Sequence, residues 1–179
     1  MRAQFWSVDV IFAITIFGTA LVLLTFVWTS ISNQYSLSYG MGSANLQAQL
    51  QSLQNRILGS GTPSNWNSAV DVSNPPTWAN VSIGLGTGNG TALSQGKVMT
   101  FMAMSDYNSA DYQATKPLLG VGYEYYIVIY GNNMTMSFGV PPFMNKATAT
   151  QVAMQSATLN GMPVRVQIMV WTNKTFGVS

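Results

Sequence analysis

The chain has no cysteine and no histidine, and only 7 Lys+Arg and 5 Asp+Glu among its 179 residues. Without Cys there is no disulfide and no thiolate metal site, so a body exported from the cell must be held by packing alone. Without His, the commonest general base and the commonest metal ligand are both missing. The net charge is +2 and no cluster of Lys and Arg stands anywhere, so nucleic acid is not expected as a partner. Ser, Thr, Asn, Gln and Gly must cover the surface instead, which suits an exposed extracellular assembly better than a cytosolic enzyme.

What the chain does have is a long apolar run. Val10 to Trp28 (VIFAITIFGTALVLLTFVW) is uncharged and mostly apolar. As a helix it would be about 28 Å long, close to the roughly 30 Å hydrocarbon thickness of a bilayer. It is too long and too continuous for an ordinary secretory signal, and only Arg2 lends its flank positive charge. Removal of the run after Ser32 is therefore the lesser reading. Arg2 precedes the run, which orients the N-terminus to the cytoplasm and the body outside.

Beyond Trp28, Leu46, Leu50, Leu53 and Ile57 recur at spacings of four, three and four, with Gln, Asn and Arg between them. That is one apolar face of an amphipathic helix, with Gly59 placed to cap it. The pattern allows a single helix from Ser7 to Leu58, and Gly40 and Gly42 mark where it could kink or break. Residues 60–95 are rich in Gly, Ser, Pro and Asn and read as loop, with a short strand candidate at Val81 to Ile83. Lys97 to Met104 and Ser109 to Lys116 read as short helices, the second with Ser109 as N-cap, Asp111 in its first turn and Pro117 at its end. Then the period changes. Tyr123 to Tyr130 and Met134 to Val140 are β-rich runs joined by Gly131-Asn132-Asn133, and Thr148 to Leu159 and Met162 to Thr172 flank Asn160-Gly161, the preferred dipeptide of a type I′ turn. The expected fold is α+β: a long N-terminal hydrophobic helix packed on a C-terminal four-stranded antiparallel sheet. Three regions are expected: the stub and core helix at 1–33, its amphipathic continuation at 34–59, and an extracellular domain at 60–179.

This plan resembles that of archaeal type IV pilins. The stub adds to the likeness, because Arg2 and Ala3 stand where the family carries a basic and a small residue before its processing point, and Gln4 where Gln commonly follows. Asp9 matches the acid before the hydrophobic run. It stands at the sixth position after that cut, one beyond the usual fifth, and Ala3 replaces the more usual Gly. Ser60 to Trp66 (SGTPSNW), Ile83-Gly84-Leu85, Leu118-Leu119-Gly120 and the closing Val170-Trp171 resemble uncharacterised archaeal pilin-like surface proteins. The resemblance implies processing between Ala3 and Gln4 by a prepilin peptidase and handling by the pilus assembly machinery. It also implies a membrane-inserted precursor, and a helical homopolymer at the cell surface as the product. Asp9 would then pair with the amino terminus of a neighbouring subunit. From the residues alone Asp9 has a second role, in the first helical turn behind an N-cap at Ser7, facing the positive end of the helix dipole.

Thr15, Gly18, Val22, Thr25 and Thr29 repeat at spacings of three and four, a seam of small residues where helices can approach closely and Thr hydroxyls can bond across. Met99, Met102 and Met104 carry the soft sulfur that selects Cu(I), but on a short helix they read as core filling. Gly84 to Gly90 superficially resembles a dinucleotide loop, but Asn89 takes the place of the third Gly and no βαβ unit surrounds it, so a flexible surface loop is expected. Asp71, Asp106, Asp111 and Glu124 match no metal-binding or glycosidase spacing and read as solvated or capping groups. Sequons stand at Asn80, Asn89, Asn133 and Asn173, all outside the apolar run and suited to N-glycosylation. No cofactor, metal or catalysis is expected. The function expected is a structural filament subunit for adhesion, and its alternative is a membrane-anchored binding or envelope protein that does not polymerise.

Overall fold

The structure, a computed structural model, describes residues 3–88, 91–106 and 111–174, with side chains described throughout these except at 3–8 and 32–41. It divides after Met41 into two compact units. Helix α1, Ala3–Ile57, spans 55 residues and contributes its beginning to the first unit and its end to the second. It starts four residues ahead of Ser7, and neither Gly40 nor Gly42 interrupts it.

In the first unit, Asp9–Ile31 is 23 residues long and apolar enough to cross a membrane, with 0% of it buried inside the chain.

In the second unit, the apolar face of α1 is buried as its spacing predicts: Leu46, Leu50, Leu53 and Ile57 are all in the core, while Gln47, Gln51 and Asn55 are exposed. The hydrogen bonds that tie this end of the helix run to connecting segments and to one helix rather than to a strand. Gly122 N–H donates to Gln49 Oε1 at 2.8 Å, Leu85 N–H to the Ile57 carbonyl at 2.7 Å, and Arg56 to Ser82 Oγ and the Leu118 carbonyl at 3.3 and 3.4 Å.

The 60–95 segment is more ordered than its composition suggests. It holds helix α2 (Trp66–Ala69), a 3₁₀ turn at Pro75–Trp78 and strand β1 (Ala92–Leu93). The strand candidate at Val81 to Ile83 reduces to a single bridge between Thr62 and Ser82. Helix α3 (Gln95–Met104) falls where expected. Helix α4 (Tyr112–Leu119) takes Asp111 as its N-cap residue rather than in its first turn, carries Pro117 inside, and ends on Gly120 at φ 67°. Ser109 lies outside the described residues.

The strands β2 (Glu124–Tyr130), β3 (Thr135–Gly139), β4 (Ala149–Leu159) and β5 (Met162–Thr172) match the sequence-based runs to within a residue at each end. Asn160 and Gly161 take φ 53° and 76°, the positive values that a type I′ turn demands. The sheet differs from the expectation in one respect. It has five strands in the order β1-β4-β5-β2-β3, and β1 runs parallel to β4, so the sheet is mixed rather than antiparallel throughout. On its core face, Val164, Val166, Ile168 and Val170 of β5 alternate with less buried residues, and Tyr125, Ile127 and Ile129 of β2 share that face, although Val128 between the last two is buried as well. Helices α3 and α4 cover this face: Phe101 stacks on Tyr125 at 6.2 Å and meets Phe138 edge-on at 5.1 Å, while Tyr112 packs on Tyr125 at 5.1 Å.

Candidate functional site

At about 100° per residue, Thr15, Gly18, Val22, Thr25 and Thr29 fall within an arc of roughly 80° on α1. The seam is therefore real geometry. All of it is exposed except Gly18, which is half-buried, and a methyl group built on Gly18 would meet nothing within 4 Å. The hydroxyls do not reach across as the spacing alone suggested. Thr15 donates to the Ile11 carbonyl at 2.8 Å, Thr25 to Leu21 at 2.8 Å, and Thr29 to Thr25 and Phe26 at 3.0 Å. Thr19, beside the seam, donates to Thr15 at 2.7 Å. Each proton is spent on the helix itself, so the seam offers a neighbour shape rather than donors.

Asp9 is exposed and lies beyond the first turn of α1, which holds no acid. Because the dipole's effect fades within that turn, the N-cap arrangement with Ser7 is not what holds Asp9. Ala3 and Gln4 open the helix, and their side chains are outside the described set. Asn80, Asn133 and Asn173 are exposed, in the turn after Trp78, the β2–β3 connection and the bend after β5. Asn89 lies outside the described residues.

No family model, curated protein or solved structure matches this chain.

The body gathers polar groups in two places that the spacing did not announce. At the first, the Lys97 ammonium is buried and donates to the Ser60 carbonyl at 2.7 Å and the Gly86 carbonyl at 2.9 Å, and desolvation lowers its pKa. The same corner explains the glycine run. Gly84 and Gly86 are buried rather than in a flexible surface loop: Cβ atoms there would strike the Gly59 and Leu58 carbonyls, and Trp66 Nε1 donates to the Gly84 carbonyl at 2.8 Å. At the second, Glu124 accepts from Lys116 Nζ and Tyr112 Oη, both at 2.7 Å, and Tyr125 Oη meets Thr115 Oγ1 at 2.5 Å. Glu124 thus ties α4 to β2 instead of standing solvated.

Asp71 serves a turn. Asp71 Oδ1 accepts from Ser73 N–H at 2.9 Å, and among the described residues no three carboxylates gather as metal ligands. Of the three methionines read as core filling only Met104 is buried, whereas Met99 is exposed, Met102 is half-buried, and both line an open groove of about 620 Å³ with Tyr126, Phe143 and Met144.

The two buried phenols set an alkaline limit. Burial pushes Tyr112 and Tyr125 above the ordinary tyrosine range, with Glu124 adding to both shifts and hydrogen bonds from Thr115 and Ser105 opposing the rise at Tyr125. In the unfolded chain these phenols ionise near pH 10, so there the unfolded state binds fewer protons and stability falls as pH rises. Lys97 works oppositely, since its lowered pKa makes stability rise between that value and about 10.4, but it is one group against two. Thermal midpoints should therefore decline above about pH 10, and Tyr125→Phe should flatten the decline. A midpoint that climbs through this range contradicts the assignment.

Proposed function

We propose that the chain is a structural subunit of an archaeal type IV pilus-like surface filament that serves adhesion, with the N-terminal part of α1 in the filament core and the body outside. One observation carries this reading: an apolar helical surface of 23 residues that the chain itself leaves 0% buried, with a seam of small residues along one side. Such a surface needs lipid before assembly and other helices after it. The exposed sequons at Asn80, Asn133 and Asn173 fit a body that faces the outside. In this reading the partners are copies of the chain, the membrane, a prepilin peptidase cutting between Ala3 and Gln4, and the assembly machinery.

A specific observation favours the anchored alternative as well. The Thr hydroxyls on the span are satisfied within their own helix, so a monomer can rest in the bilayer without a polar partner. Negative-stain microscopy of material sheared from cells, with mass spectrometry and N-terminal sequencing of the filament subunit, separates the two. Filaments built of this chain and beginning at Gln4 are expected. Cells that make the protein and shed no such filaments under several growth conditions would favour the anchor, and a mature chain beginning after Ser32 would overturn both readings.

A further inference from the structure

Strand β4 is an edge strand for most of its length. Of β4, strand β1 pairs with Thr158 and Leu159 alone, so among the described residues nothing pairs with the outer side of Ala149 to Ala157. Natural edges are usually protected by charges, proline or bulges. This one has none of them. No charged residue occurs from Ala147 to Val164, β4 contains no Pro, and its register with β5 runs one to one from Ala149 to Leu159 without a bulge.

The geometry of the hairpin tells which backbone groups are free. A two-residue turn at Asn160-Gly161 makes Leu159 and Met162 a hydrogen-bonded pair, and alternation then directs the odd-numbered residues of β4 toward β5. The even-numbered ones face away, as Thr158 confirms by donating to the Thr91 carbonyl at 3.1 Å. Thr150, Val152, Met154 and Ser156 therefore hold unpaired N–H and C=O groups, and the side chains of Val152 and Met154 are 48% and 60% exposed. These four positions are symmetric about Ala153. The one buried side-chain polar atom without a partner among the described residues, Gln155 Oε1, belongs to the same strand.

We propose that the outer edge of β4 docks the same strand of a second copy, the two pairing antiparallel about a two-fold axis at Ala153. In that register Val152 bonds Met154 of the second copy, Thr150 bonds Ser156, and every free backbone group of the four is used. The exposed Val and Met side chains cover each other across the axis. In the same register Gln151 of the second copy stands directly opposite Gln155. The opposite edge of the sheet is a poorer match, because β3 is five residues long and Gly139 N–H already donates to the Ser105 carbonyl at 3.2 Å. A two-fold contact closes at two copies. It is therefore distinct from the helix seam, and in a polymer whose subunits share one direction it would join two polymers side by side.

The test uses the full chain purified in detergent, where the absence of native cysteine makes any introduced thiol the sole one. Across the axis, Ala153 faces itself in a non-hydrogen-bonded pair with Cα atoms about 4.5 Å apart, within disulfide reach. Mild oxidation should convert Ala153→Cys to a covalent dimer at least about tenfold more than Ser73→Cys, on an exposed turn, which corresponds to about 1.4 kcal/mol of association. Because Ala153 is half-buried, a second pair of variants at exposed positions is measured by sedimentation. Val152→Lys should lower the dimer fraction, and adding Met154→Glu should restore it, since each new amine then faces a new carboxylate. The dimer should survive Gly18→Leu. Equal crosslinking of the two cysteine variants, a charge reversal that restores nothing, or a dimer lost on Gly18→Leu would each overturn the proposal.

Discussion

Leu53→Asp should collapse the tertiary structure of the body, while Gln51→Asp, two residues away on the same helix, should leave it intact. Leu53 is 0% exposed and Gln51 faces solvent. The substitution removes a fully buried aliphatic side chain, worth about 1.5–3 kcal/mol of transfer free energy, and puts a carboxylate in the core, while Arg56, the cation one turn on, is already engaged by Ser82 and the Leu118 carbonyl. Burying a group like that, or protonating it to avoid burying its charge, adds several kcal/mol more. A domain of this size has a net stability of only about 5–15 kcal/mol, so the loss is a large part of the whole. The exposed control should change stability by about 0.5 kcal/mol or less. Near-ultraviolet circular dichroism is the suitable probe, because Trp66, Trp78 and Trp171 are buried in the body and report its packing, whereas far-ultraviolet signal from the rest of α1 would persist. Equal melting of the two variants would remove the amphipathic assignment of this part of α1.

The parts of the fold that were legible in the sequence are those whose signals are local. Asn160-Gly161 specifies a tight turn by the φ values it tolerates, and the alternation of Val164, Val166, Ile168 and Val170 specifies which face of β5 is buried. Leu46, Leu50, Leu53 and Ile57 did the same for a helix face through their period. What was not legible depends on partners distant in the chain. Gly84 and Gly86 carry no side chain to reveal that the backbone at 58–59 presses against them, so the run reads as an open loop until the fold is known. Lys97 looks like any surface lysine, and its burial follows only from the Ser60 and Gly86 carbonyls that meet it. Strand β1 is two residues long, too short for any periodicity, and its parallel pairing with β4 is a matter of tertiary placement. At the candidate site the spacing of Thr15, Gly18, Val22, Thr25 and Thr29 was visible, but the direction of the hydroxyls was not, because a Thr on a helix can satisfy itself on its own preceding turn.

Gly18→Leu should abolish filaments while leaving membrane insertion intact. Inside the chain this substitution has nothing to disturb: a Cβ at Gly18 meets no atom within 4 Å, and the position is an ordinary helix interior. There Leu is a better helix former than Gly by up to about 1 kcal/mol. Leu also favours the bilayer, by roughly 0.3–0.6 kcal/mol on insertion scales. Any loss must therefore come from outside the chain, from a helix whose backbone approaches Gly18 closely and is held away by an isobutyl group. Gly18→Ala, which adds only a methyl, should retain most of the filaments and so separates steric exclusion from a special need for glycine. Asp9→Ala should also impair assembly. Its position beyond the first turn of α1 leaves it less than the 0.3–1 kcal/mol that a first-turn acid gains from the helix dipole, so a strong effect would report a charge pair with a neighbouring subunit. The anchored-monomer reading expects no change in surface display or function from any of these variants. Wild-type filament numbers from Gly18→Leu would remove the packing seam, and with it the main physical ground for reading the span as a filament core.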